Sequence, residues 1–270
     1  QEFSGYKQMI SHSIDRIKNN FPFLFQLAQG GTAVGTGINT HKDFGKLIAK
    51  EISGITNLKF KEAKNHFEAQ ATQDTIVELS GSLKTLSVSL YKIANDIRLL
   101  GSGPRTGLGE LILPPVQPGS SIMPGKVNPV ICESLIQVSA QVIGYDSAIT
   151  LGGLGGFFEL NLMLPLNAHN ILESINILSN GIKMFRLRLL EGLEADKEKC
   201  KNYIEDSLAM CTSLVPIIGY DKAAQIAKKA HKTNKTIRQI VLEEKLLPKN
   251  KLDKILDPFT MTKPNVKNRK

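Results

Sequence analysis

The sequence predicts an all-α protein: a long-helix bundle followed by a small helical C-terminal domain. Three observations predict it. First, Ile76, Leu79, Leu83, Leu86, Leu90, Ile93, Ile97 and Leu100 alternate steps of three and four, which makes a heptad seam. Second, the pattern recurs in Leu135, Val138, Val142, Tyr145 and Ile149, and again in Ile171, Ile175, Leu178, Ile182, Phe185 and Leu189. Third, after Glu194-Ala195-Asp196 the long periodic segments give way to short ones broken by Pro and Gly. These observations divide the chain into a bundle over 1–193, a small domain over 194–262 and a basic tail over 263–270.

From the start, Phe3, Tyr6, Ile10, Ile14, Ile17 and Phe21 fall on one helical face, and the helix ends before Gln29-Gly30-Gly31, where glycine can cap it. The chain opens at Gln1 with this helix already under way, so its start reads as truncated. Gly30 to Gly37 is glycine-rich, but it follows a helix rather than a strand and has no phosphate-binding lysine. It is read as a turn with close backbone packing. A short helix over His41–Gly54 is expected next. The long seam then requires a helix from Thr72 to Leu100, roughly 40 Å at about 1.5 Å per residue, which is too long for one small core and should run along other long helices. Ser80, Ser82, Ser87 and Ser89 lie off the seam and point to a second packed face.

Between the second and third seams, Gly152-Gly153-Leu154-Gly155-Gly156 breaks the helix. In the C-terminal part helices are expected over Lys197–Met210, Asp221–Lys232 and Thr236–Glu244. Asp257-Pro258 ends the domain, and the basic tail is read as disordered.

Composition limits the function classes. The 270 residues are 41% hydrophobic and 22% charged, ordinary for a globular protein, and no apolar run approaches the roughly 18 residues of a membrane span. The formal charge is +9 with a sequence pI of about 9.4, yet lysines are spread along helices, Trp is absent and no nucleic-acid motif accompanies them. Neither a membrane nor a nucleic acid is therefore expected as partner; a positive field drawing in a dianionic acid is. The three cysteines, Cys132, Cys200 and Cys211, form no disulfide framework and no zinc spacing, and are read as free thiols in a reducing compartment.

The chemistry is expected at Gly119-Ser120-Ser121-Ile122-Met123-Pro124-Gly125-Lys126-Val127-Asn128, a small-residue loop running into Pro129 and an apolar-periodic segment. Asn128 has the side chain of an N-cap and Pro129 suits the first helical position, so the helix is expected to begin there. Its free N–H groups and positive dipole end, with Lys126 beside them, would attract a carboxylate.

This stretch resembles the signature loop of the fumarase/aspartase superfamily of lyases. Four further stretches resemble its class II fumarate hydratases: Gly31 to Gly37, Lys92 to Arg98, Gly101 to Arg105 and Gly219 to Ala224. The resemblance covers nearly the whole chain and leaves out only Lys263–Lys270.

The resemblance implies reversible, metal-free and cofactor-free hydration of fumarate to malate in the tricarboxylic acid cycle. It implies Ser120 as the proton-abstracting base, with Ser121, Lys126, Val127 and Asn128 contacting substrate. Glu133 matches a carboxylate that pairs with a histidine to activate water. It further implies a homotetramer with sites shared between subunits, in the cytoplasm, or in the mitochondrial matrix of a eukaryote. Arg105 is read as structural.

The partner histidine belongs in the family to a Gly-Arg-Thr-His segment that this sequence does not contain, and none of His12, His41, His66, His169 and His231 fits its place. Two rival readings stand beside this one: an aspartate ammonia-lyase of the same superfamily, which shares the signature loop, and a non-catalytic helical assembly fragment, which the missing histidine segment supports.

Overall fold

The computed structural model describes residues 1–264; the basic tail from residue 265 onward lies outside the described residues. The chain divides into two compact units, one of residues 1–101 and 113–193, the other of residues 102–112 and 194 onward. The segment 102–112, placed by the sequence reading within the bundle domain, thus groups with the C-terminal residues.

The first unit contains α1 (Glu2–Asn19), α2 (Phe21–Leu24), α3 (Phe44–Thr56), α4 (His66–Ala71), α5 (Asp74–Leu100), α6 (Val130–Gly153) and α7 (Leu164–Arg188). Two short strand pairs accompany them, β1 (Gln26–Leu27) parallel to β2 (Lys61–Glu62), and Gly156–Phe157 antiparallel to Leu160–Asn161. The glycine-rich stretch is a turn: the Gly31 carbonyl accepts from the N–H groups of Gly35 and Gly37, both at 3.0 Å. Gly30, Gly35 and Gly37 all have positive φ, which only glycine adopts without strain.

The three long helices make the core. α6 packs against both α5 and α7, and α1 lies along α5. On α5 the middle of the expected seam is buried, with Ile76 and Leu100 at its ends half-buried: Leu79, Leu83, Leu86, Leu90, Ile93 and Ile97 are buried, each stabilising the fold by about 1.5–3 kcal/mol relative to exposure. On α6, Leu135, Val142 and Ile149 of the expected seam are buried, while Val138 and Tyr145 are half-buried.

On α7 the expected seam is only partly right. Ile171, Leu178 and Phe185 are buried, but Ile175 and Ile182 are 43% and 36% exposed. Ser174 takes the inner position instead, with its hydroxyl donating to the Asn170 carbonyl at 2.7 Å. A small side chain whose hydrogen bond stays within its own helix lets neighbouring helices approach closely, so the buried stripe is rotated relative to the isoleucine line.

Polar ties cross this core at a few points. Asp146 of α6, 5% exposed, accepts from the Ser80 hydroxyl at 2.7 Å and the Lys84 ammonium at 2.5 Å, both on α5. Tyr6 of α1 donates its hydroxyl to Asp96 of α5 at 2.8 Å; Lys92 binds the same carboxylate and lies 5.3 Å from the Tyr6 ring centroid.

The second unit contains β3 (Leu111–Ile112), antiparallel to a strand over Glu194–Ala195, then α8 (Lys197–Asp206), a 3-10 segment Leu208–Leu214, α9 (Val215–Ile218), α10 (Tyr220–Thr233), α11 (Ile237–Glu243) and α12 (Lys249–Ile255). Ser207 ends α8 earlier than the expected Met210; its hydroxyl accepts from the Ala209 N–H at 3.3 Å and starts the 3-10 turn. Thr236 caps α11 in a reciprocal box with Gln239. Met210, Leu214, Ile226, Ile237, Ile240, Val241, Leu252 and Leu256 form its core. α12, which the sequence reading did not contain, enters this core through Leu252; a seven-residue helix offers too few turns to display a period.

Candidate active site

The loop before α6 is pinched at its base. The Gly119 N–H donates to the Lys126 carbonyl at 2.7 Å, and the Asn128 side-chain amide donates to the Gly119 carbonyl at 2.9 Å. A Cβ at residue 119 would stand 2.5 Å from the Lys126 oxygen, so only glycine fits. Gly125, at φ +77°, turns the chain back toward this closure. The segment 120–125 is therefore presented as a closed loop.

Ser120, half-buried at the start of this loop, accepts two backbone hydrogen bonds on its hydroxyl oxygen, from Ile122 N–H at 3.1 Å and Met123 N–H at 3.2 Å. Donors already aimed at that oxygen favour its anionic form, because they stabilise charge without reorganising when it appears. Ser121, Lys126 and Val127 are exposed. A cavity of about 440 Å³ brings Ser120, Lys126 and Val127 together with Pro115, Pro118 and Met123. Ser121, Asn128 and Glu133 do not line it.

The expected cap differs in the structure. α6 begins at Val130 with Pro129 as its N-cap, and the Asn128 side chain makes no capping bond. The amide that could have capped the helix is committed to Gly119, and the Asn128 carbonyl already accepts from the Val130 N–H at 2.9 Å. Asn128 is a loop clamp, and the helix starts one residue late.

Glu133 is half-buried in the first turn of α6, its N–H on the Pro129 carbonyl at 3.1 Å. Its neighbour Cys132 is fully buried, and burial pushes the thiol up to about 12 against the opposing pull of the Arg98 cation. Arg98 is held by the Asn95 side chain at 2.9 Å. No functional role for Arg98 or Asn95 was read from the sequence. Both lie in the Lys92 to Arg98 stretch, but only packing of α5 on α6 sets Arg98 near the start of α6.

Three histidines have local partners. His12 pairs with Gln8 at 2.8 Å, the His41 ring accepts from the Asp43 N–H at 3.2 Å, and His66 lies 3.2 Å from the Gln29 carbonyl and 3.5 Å from Glu62. His169 and His231 sit in α7 and α10. Among the described residues no group of three or more His, Cys, Asp or Glu is placed to hold a metal, and no helix is long and apolar enough to cross a membrane.

Residues 1–144 match the family described as Lyase, and residues 210–263 match the family described as Fumarase C C-terminus. The chain is 52% identical over 267 residues to fumarate hydratase class II of Corynebacterium glutamicum, covering 97% of this chain and 56% of that protein. It is 50% identical over 261 residues to the mitochondrial fumarate hydratase of Dictyostelium discoideum, covering 97% and 54%. Among solved structures, a class II fumarase from Schistosoma mansoni superposes with a TM-score of 0.90 at 38% identity, over 97% of this chain and 58% of that one. A protein titled fumarate lyase:delta crystallin from Brucella melitensis gives 0.93 at 41% identity, over 98% and 57%. The chain spans about half the length of the curated relatives it matches.

Proposed function

The chain belongs to the class II fumarate hydratase family of the fumarase/aspartase superfamily, and on that premise we propose that it supplies the base-bearing loop for reversible hydration of fumarate to malate. Ser120 is the base. In the malate-to-fumarate direction its oxygen removes the proton beside a carboxylate, the resulting aci-carboxylate carries the charge, and the hydroxyl leaves as water after protonation. The two N–H groups on the Ser120 oxygen are the observation that carries this reading, because a serine hydroxyl at its ordinary pKa cannot act as base.

Lys126, Ser121, the Val127 backbone and the second N–H of the Asn128 amide, the one not given to Gly119, hold the substrate carboxylates, and the exposed Lys126 ammonium adds its charge to the positive end of α6. Glu133 orients the histidine that activates water, and that histidine comes from outside these 270 residues. The site is accordingly shared between polypeptide segments in a homotetramer. Apolar side chains left on the outer faces of the long helices support association: Val88 is 55% exposed on α5 and Leu172 is 64% exposed on α7. We assign it to the cytoplasm, or to the mitochondrial matrix of a eukaryote, a reading that the relatives named mitochondrial support.

The test is addition of malate to the purified chain, alone and mixed with the N-terminal part of a class II relative, following ultraviolet absorbance of the new conjugated double bond. Fumarate should form in the mixture, and Ser120→Ala should abolish it. Full activity in Ser120→Ala would refute the base assignment, and ammonia release from aspartate in place of hydration would refute the substrate.

A further inference from the structure

The second unit contains a groove that no part of the hydratase reading uses. It encloses about 880 Å³ and shares no residue with the loop at 119–128. Its apolar lining comes from Val215 and Pro216 of α9, Ala223, Ala224 and Ala227 of α10, and Met261. The alanines leave width where larger side chains would fill the space. A volume of this order suits a small organic ligand.

The charges around it are one-sided. Lys228 and Lys263 line the groove, both exposed, and among the described residues no carboxylate lines it. Elsewhere in this unit some cations are paired: Lys222 and Lys229 both bind Glu244, at 3.0 and 2.8 Å, and Lys235 binds Glu243 at 2.6 Å. Arg238 is likewise held, by Glu205 and Asp253. Among the described residues Lys228 and Lys263 have no acidic partner. Two unpaired ammonium groups over an apolar trough complement a ligand with an anionic head and a hydrocarbon body.

We infer that this groove binds an amphiphilic monocarboxylate of the medium-chain fatty acid type, its chain along the alanine face of α10 and its carboxylate on Lys228 and Lys263. Small dicarboxylates are a poor match, because they have no hydrocarbon to set against Val215, Pro216 and Met261 and would carry a second charge into an apolar trough. Cys211, a free half-buried thiol, also lines the groove and reports on its occupation.

The probe is decanoate, titrated into the full chain calorimetrically below its micelle concentration, with decanol and acetate as the uncharged and chainless arms. Decanoate should bind saturably, both controls should bind at least about tenfold more weakly, and Lys228→Gln with Lys263→Gln together should weaken decanoate by roughly tenfold, as two exposed charge pairs allow. Decanoate should also slow labelling of Cys211 by a disulfide reagent. Both lysines are exposed, so the double variant folds and its result counts either way. Absence of saturable binding, decanol binding as tightly as decanoate, an unchanged affinity in the double variant, or unprotected Cys211 would each overturn the inference.

Discussion

The Asn128 side chain spans the base of the loop to the Gly119 carbonyl at 2.9 Å, so the residue expected to cap α6 instead closes the ring that presents Ser120. With the Gly119 N–H on Lys126, this fixes both ends of a segment whose middle is exposed.

Removing that bond should loosen the loop without unfolding the bundle. Asn128→Ala is expected to speed proteolytic cleavage within 120–127 several-fold and to leave the urea midpoint of the bundle nearly unchanged. Asn128→Asp should not restore protection, because an ionised carboxylate cannot donate to a carbonyl. Gly119→Ala should match or exceed the alanine variant at 128, since its Cβ would meet the Lys126 oxygen. Equal cleavage rates in all four proteins would refute the clamp.

Asp146 is the buried tie between α5 and α6. Asp146→Ala is expected to cost about 2–3 kcal/mol in urea unfolding, the range for losing charge-assisted hydrogen bonds. The low end applies because Lys84 is 45% exposed and regains water, whereas Ser80 is left buried. Ser80→Ala should cost about 1 kcal/mol. A loss under about 0.5 kcal/mol for Asp146→Ala would mean that the tie adds nothing beyond packing.

The Tyr6–Asp96–Lys92 cluster should give stability a pH dependence at both ends. The Lys92 hydrogen bond holds the Asp96 carboxyl below its ordinary value, so its stabilisation is complete above about pH 4 and lost as pH falls through the lowered folded value. Burial, then the Asp96 hydrogen bond, pushes the Tyr6 hydroxyl well above the usual tyrosine value. Its contribution is therefore complete below about pH 10 and lost as pH rises through the folded value. Urea midpoints of Asp96→Asn against the parent chain should differ most between these limits and converge only as pH falls below the lowered folded value of Asp96. A difference independent of pH would refute the linkage.

Cys132 should be chemically silent in the folded protein. Its thiol is fully buried and pushed up to about 12, so at pH 8 a thiol reagent should label Cys200 and Cys211 and reach Cys132 only on unfolding. Rapid native labelling of Cys132 would show that α5 and α6 part readily at this end.

Much of this was legible in the chain itself. Helices α5, α6 and α7 announce themselves because side chains three and four residues apart share a face, and a long run of such steps has no other stable arrangement. The candidate site was proposed from the order of Ser120, Lys126 and Asn128 in one short stretch, and the structure sets Ser120 and Lys126 on one cavity with Asn128 closing the loop beside them. The second unit was only partly so, since α12 is too short for periodicity and 102–112 joins that unit through a pairing distant in sequence, Leu111 with Ala195.

What the sequence determined by itself is therefore local: which segments are helical, where glycine and proline interrupt them, and which residue types stand in the loop. Tertiary structure alone decided which bond each polar group makes. Asn128 could cap or clamp, and Ser174 could face water or the core. An isolated stretch cannot rank these choices, because the energy of a hydrogen bond or a buried side chain depends on the partner that folding brings to it from elsewhere in the chain.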